Sequence, residues 1–176
     1  MLKCVMRVKN IVLLFCTVFL SNATASADMT AVGERDLVGK VLKLRADINA
    51  ADKHGRTRLM HAIWRGDADG VKMLIAAGSD VNIAMKNGMT PLMIAAVEEN
   101  TDIVEQLLDA GADINAVTKA GITALMYAAQ YRRVETARII ISRGANVEAT
   151  MKNGWTALSF SKWKEVSPII EMLENE

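Results

Sequence analysis

Cysteine is nearly absent. Only Cys4 and Cys16 occur in 176 residues, and both stand among the first 27. Everything after residue 27 lacks a thiol for a disulfide, a metal or a nucleophile, so stability there must come from packing. Histidine is equally scarce: His54 and His61 fall on either side of an expected helix start, not together on one helical face. The carboxylates near them, Asp52, Asp67 and Asp69, occupy ordinary turn positions, so no metal site is expected. There is no glycine-rich phosphate loop, and Ser159 and Ser161 have no evident histidine partner. Catalysis needs a nucleophile, a base and oxyanion donors that converge. The sequence offers no candidates for these roles, so no enzyme, catalytic residue or cofactor is expected.

Long apolar runs are also lacking, with one exception at the start. Lys3, Arg7 and Lys9 precede "IVLLFCTVFL" (11–20), and "SNATASA" then ends in Ala25-Ser26-Ala27. That is the layout of a secretory signal peptide, expected to cover 1–27 and to be cleaved. Ten apolar residues reach only about 15 Å in a helix, roughly half a bilayer core, so no membrane span is expected after cleavage. Phe15 stands before Cys16, where a lipid-anchor signal resembles a small-residue box. The remaining 149 residues suffice for one domain with a core. With the three basic residues of the leader gone, the 21 Lys and Arg fall to 18 against 20 Asp and Glu. Such a balance gives no general attraction to nucleic acid or anionic lipid.

What the sequence does have is repetition. "GRTRLMHAIW" begins at Gly55, "GMTPLMIAAV" at Gly88, "GITALMYAAQ" at Gly121 and "GWTALSFSKW" at Gly154, each 33 residues after the last. A fixed period of this size marks a stacked array. Thr57, Thr90, Thr123 and Thr156 each stand just before an apolar segment, where a hydroxyl can accept from the free N–H groups of a helix start. Pro91 follows Thr90 at a first-turn position that tolerates proline. Ala62, Ala95, Ala128 and Ser161 allow helices to approach closely. A second apolar segment follows in each copy, "DGVKMLIAAG", "DIVEQLLDAG" and "VETARIIISRG", with apolar residues three and four apart on one face. Gly78, Gly111 and Gly144 end it. Asp47, Asp80 and Asp113 recur at its exit and are expected to shape the loop.

This pattern resembles the ankyrin repeat in its period, its T-x-L-x-x-A core and its G-A-D-x-N exit. The resemblance implies an all-α solenoid of stacked helix-turn-helix units joined by β-turn loops. It implies an N-terminal capping repeat over 28–54, repeats over 55–87, 88–120 and 121–153, and a C-terminal capping repeat over 154–176. Ile169, Ile170, Met172 and Leu173 are expected on the inner side of that last cap. One departure stands out. The histidine that usually follows T-P-L in the family is replaced by Met60, Met93, Met126 and Ser159. Apolar packing is expected there, in place of the family's usual loop-to-loop hydrogen bonding.

In ankyrin-like units, the positions free to vary on the concave side are two residues before the glycine, one after it, and two that end the first helix. Carried over, these are Lys53, His54, Arg56, Trp64 and Arg65; Lys86, Asn87, Met89, Val97 and Glu98; Lys119, Ala120, Ile122, Gln130 and Tyr131; and Lys152, Asn153, Trp155, Trp163 and Lys164. This set holds all three tryptophans, and seven Lys or Arg against the single acid Glu98. Tyr, Trp and Arg dominate interface hot spots. The expected partner-binding residues are therefore Lys53, Arg56, Trp64, Arg65, Lys86, Met89, Lys119, Ile122, Tyr131, Lys152, Trp155 and Trp163. The expected partner is another protein with an acidic surface, and not nucleic acid. Two roles fit: a scaffold or protective partner in the cell envelope, or an immunity protein that neutralises a secreted toxin or hydrolase. The Ala-x-Ala site and the absence of an Asn-x-Ser/Thr acceptor after residue 27 place the expected location in the periplasm.

Overall fold

Each glycine–threonine signature opens a helix, and each second apolar segment forms another. In the computed structural model the described residues are 48–175. The expected leader, Asp47 and the part of the N-terminal unit before residue 48 lie outside them. Among the described residues, eight complete helices follow in order: α1 (Arg58–Trp64), α2 (Ala68–Ala76), α3 (Pro91–Glu98), α4 (Thr101–Asp109), α5 (Ala124–Gln130), α6 (Val134–Ser142), α7 (Ala157–Trp163) and α8 (Ser167–Glu174). Odd-numbered helices pack on odd-numbered ones and even on even, while each pair packs on itself. The result is two layers of helices with an apolar core between them.

Local chemistry sets where the first helices begin. Thr57, Thr90, Thr123 and Thr156 are extended, and their hydroxyls accept from the N–H of Met60, Met93, Met126 and Ser159 at 3.2–3.4 Å. Capping of this kind contributes about 1 kcal/mol per helix. The second helices are treated less evenly. Asp67 and Asn100 cap α2 and α4, whereas Arg133 makes no side-chain cap on α6. Its guanidinium reaches back to the preceding unit, donating from Nε to the Val97 carbonyl at 2.8 Å and pairing with Glu99. One local cap is exchanged for a clamp between units.

Met60, Met93 and Met126 are fully buried, as apolar packing requires, while Ser159 of the last unit is only half-buried. Ile169 and Leu173 are buried, and Ile170 and Met172 half-buried. The expectation that loop-to-loop hydrogen bonding gives way is corrected. Backbone groups carry it instead: the N–H of Lys86 donates to the carbonyl of His54 (3.1 Å), Lys119 to Asn87 (3.1 Å) and Lys152 to Ala120 (3.3 Å). A second ladder runs beside it, in which the Asn49, Asn82 and Asn115 side chains accept from the N–H of Asp80, Asp113 and Asn146 at 2.8–2.9 Å. Asp80 and Asp113 each accept from the N–H two residues on, which is the loop-shaping role expected of them.

Candidate partner-binding surface

Two rows of residues come together because the loops and the first helices are each stacked. The backbone ladder places Lys53, Lys86, Lys119 and Lys152 on successive loop tips. The contacts of α1 with α3, α3 with α5 and α5 with α7 place the ends of the first helices in a parallel row. Trp64, Val97, Gln130 and Trp163 occupy one register of that row, and Arg65, Glu98, Tyr131 and Lys164 the next.

The four lysines are exposed. The ion pairs of the body are made by other cations: Arg56–Asp52, Arg133–Glu99, Arg138–Glu135, Arg143–Asp109 and Lys162–Glu174. Among the described residues, none of the four loop-tip lysines is paired with a carboxylate. Trp64, Tyr131 and Trp163 are 36%, 45% and 59% exposed, large values for rings of this size. Trp155 differs from them. It is half-buried, packed edge-on against buried Phe160 at 5.1 Å and against Trp163 at 5.9 Å. Met89 and Ile122 are half-buried against the core, offering only part of their surface. Arg65 is exposed and lines a cleft of about 530 Å³ with Arg58, His61, Asp67 and Met73.

Several positions taken as free to vary shape the turns. The N–H of the residue after each glycine needs an acceptor. In the second and fourth units it is the side chain of Asn87 (3.0 Å) or Asn153 (3.2 Å). The first and third units have His54 and Ala120 at that register, and the acceptor moves back two residues to Asp52 (3.0 Å) or Thr118 (3.1 Å). The sequence carried this signal, since asparagine and its substitute alternate between registers, but only the bonds show that they exchange one task. Met73 and Val117 are exposed apolar residues that the period did not single out.

Arg56 is tied down as well. Its Nε donates to Asp52 at 2.7 Å, so its charge is largely spent within the turn. The Arg56 backbone N–H, together with the His54 N–H and the guanidinium, holds the Asp52 carboxyl well below the usual carboxylate range. A depressed folded value adds stability above the unfolded value of 3.8, and that stability is lost as pH falls through the folded value. Asp52 is exposed, so solvent screening keeps the contribution small. The Asp52→Asn variant retains an acceptor oxygen but no titrating group. Its Tm is expected to fall less steeply than the parent's between about pH 5 and pH 2. Coincident slopes in thermal melts would remove the carboxylate from the acid response.

Two layers of like-packed helices with a continuous row of loop tips and helix ends define a helical-repeat array, a class that uses such rows for recognition. A family model described as ankyrin repeats, in three copies, matches residues 25–118 and 110–175, and the chain belongs to the ankyrin-repeat family. It is thus a protein–protein interaction module of a kind that is typically non-enzymatic. No curated protein matches it. No helix among the described residues is long and apolar enough to cross a membrane.

Proposed function

We propose that the protein is exported to the periplasm and there binds an acidic protein partner of the cell envelope, as a scaffold or protective module. The observation that carries this reading is the row of loop-tip lysines that, among the described residues, have no carboxylate partners, beside exposed Trp64, Tyr131 and Trp163. Uncompensated charges in a row steer an oppositely charged partner and act on association rate more than on affinity. Exposed aromatic rings supply the short-range contact area. The leader and the near-neutral remainder support export and weigh against nucleic acid.

The test is kinetic. Proteins captured from an envelope extract are identified by mass spectrometry, and association is then measured with the purified partner. Reversing both Lys86→Glu and Lys119→Glu is expected to slow association about tenfold at low salt, with the difference shrinking as ionic strength rises. An unchanged association rate in a folded double variant would sink the reading.

A further inference from the structure

We propose that the partner engages this surface through an extended acidic segment with an apolar side chain at each end, one docking on Trp64 and the other on the Trp155–Trp163 pair. This deepens the reading above and rests on it. The two ends of the surface are unlike its middle. At one end Trp64 stands edge-on to His61, with ring centres 5.3 Å apart and planes at 69°. At the other, Trp163 stands at 73° to Trp155, which buried Phe160 fixes from behind at 64°. The Lys164 ammonium lies 4.0 Å from the centre of the Trp163 ring. Rings held in place before binding lose little freedom on contact, so they are efficient anchors.

Beside the line from Trp64 to Trp163, on the parallel row of loop tips, stand Lys86 and Lys119, exposed and, among the described residues, unpaired. Their loop tips are joined by backbone hydrogen bonds from one unit to the next, so the cations form a line and not a patch. A line of charge is matched by a linear acidic chain. Trp64 and Trp163 are three helix-to-helix steps apart, each about 8–10 Å, which sets the anchors roughly 24–30 Å apart. An extended chain advances about 3.3 Å per residue, so the two apolar side chains lie about seven to nine positions apart, with about six to eight residues between them. A shorter spacer cannot span both anchors, and a longer one dilutes the second contact.

The experiment uses three synthetic peptides, each with a leucine at both ends of an alternating Glu-Ser spacer of three, seven or eleven residues. Binding to the purified protein is measured by fluorescence anisotropy at low salt. The seven-residue spacer is expected to bind at least tenfold tighter than the three-residue one. Trp64→Ala and Trp163→Ala should each erase that preference while leaving the melting transition in place. Equal binding by all three lengths, or an unchanged preference in both variants, overturns the two-anchor segment. If binding in that case still weakens with salt and with Lys86→Glu/Lys119→Glu, the acidic-partner reading survives alone. Displacement of the seven-residue peptide by a sulfated polysaccharide with an affinity indifferent to both tryptophan substitutions would overturn the segment in favour of a plain polyanion. Absence of binding by every peptide, in a protein that still associates with its acidic envelope partner, would overturn it equally.

Discussion

Replacing Gly88 with alanine is expected to destabilise the protein by about 3 kcal/mol, while the same change at Gly154 should cost only about 1 kcal/mol. Both glycines have positive φ, +88° and +83°, so both substitutions meet the same left-handed penalty. What differs is the neighbour. A Cβ on Gly88 would stand 2.9 Å from the Lys119 nitrogen and from the Thr118 Cα, backbone atoms of the next loop. At Gly154, among the described residues, no heavy atom beyond the glycine and its chain neighbours lies within 4 Å of such a Cβ. Backbone held in a hydrogen-bonded ladder cannot move aside as a flexible side chain can. Urea unfolding of the two variants measures the difference directly. Equal losses would mean that conformational strain alone, and not the stacking of loops, explains the recurrence of this glycine.

Met93→Ser is expected to cost about 3 kcal/mol, although serine is what the last unit uses at the same register. Two effects oppose each other. Ser159 and Thr156 exchange hydrogen bonds, Ser159 Oγ accepting from the Thr156 N–H at 3.3 Å and Thr156 Oγ1 from the Ser159 N–H at 3.2 Å. In the second unit the Thr90 N–H has, among the described residues, only the Met93 sulfur, a weak acceptor, at 3.5 Å. Serine would improve that bond by about 1 kcal/mol at most. Met93 is also fully buried, and truncating a buried methionine costs about 2–5 kcal/mol in lost burial and cavity formation. Packing outweighs the cap. The last unit tolerates serine because Ser159 is only half-buried, so less packing is at stake there. A urea midpoint that rises or stays put in Met93→Ser would reverse that ranking.

The difference between a position and its task explains what was legible beforehand. Threonine caps and terminal glycines act over three or four residues, and the 33-residue period shows when the copies are laid side by side, so the sequence displays them directly. The placement of Arg56, Asn87 and Asn153 within turns was not legible, because a loop residue's freedom depends on which N–H lies within reach. Nor was the half-burial of Trp155, which follows from Phe160 filling the space behind it. The backbone and asparagine ladders were missed for a related reason. Each joins residues about 31–32 positions apart, a separation the repeat makes regular but no local pattern announces.

The sequence by itself determined the repeated unit, the start of each first helix and the residue types available for recognition, because these depend on nearest neighbours along the chain. Only the tertiary structure decided which cations remain unpaired and which rings remain exposed. Those properties belong to the contact between one unit and the next: stacking sets each lysine on a loop tip where, among the described residues, no carboxylate pairs with it, and spends Asp52 on Arg56.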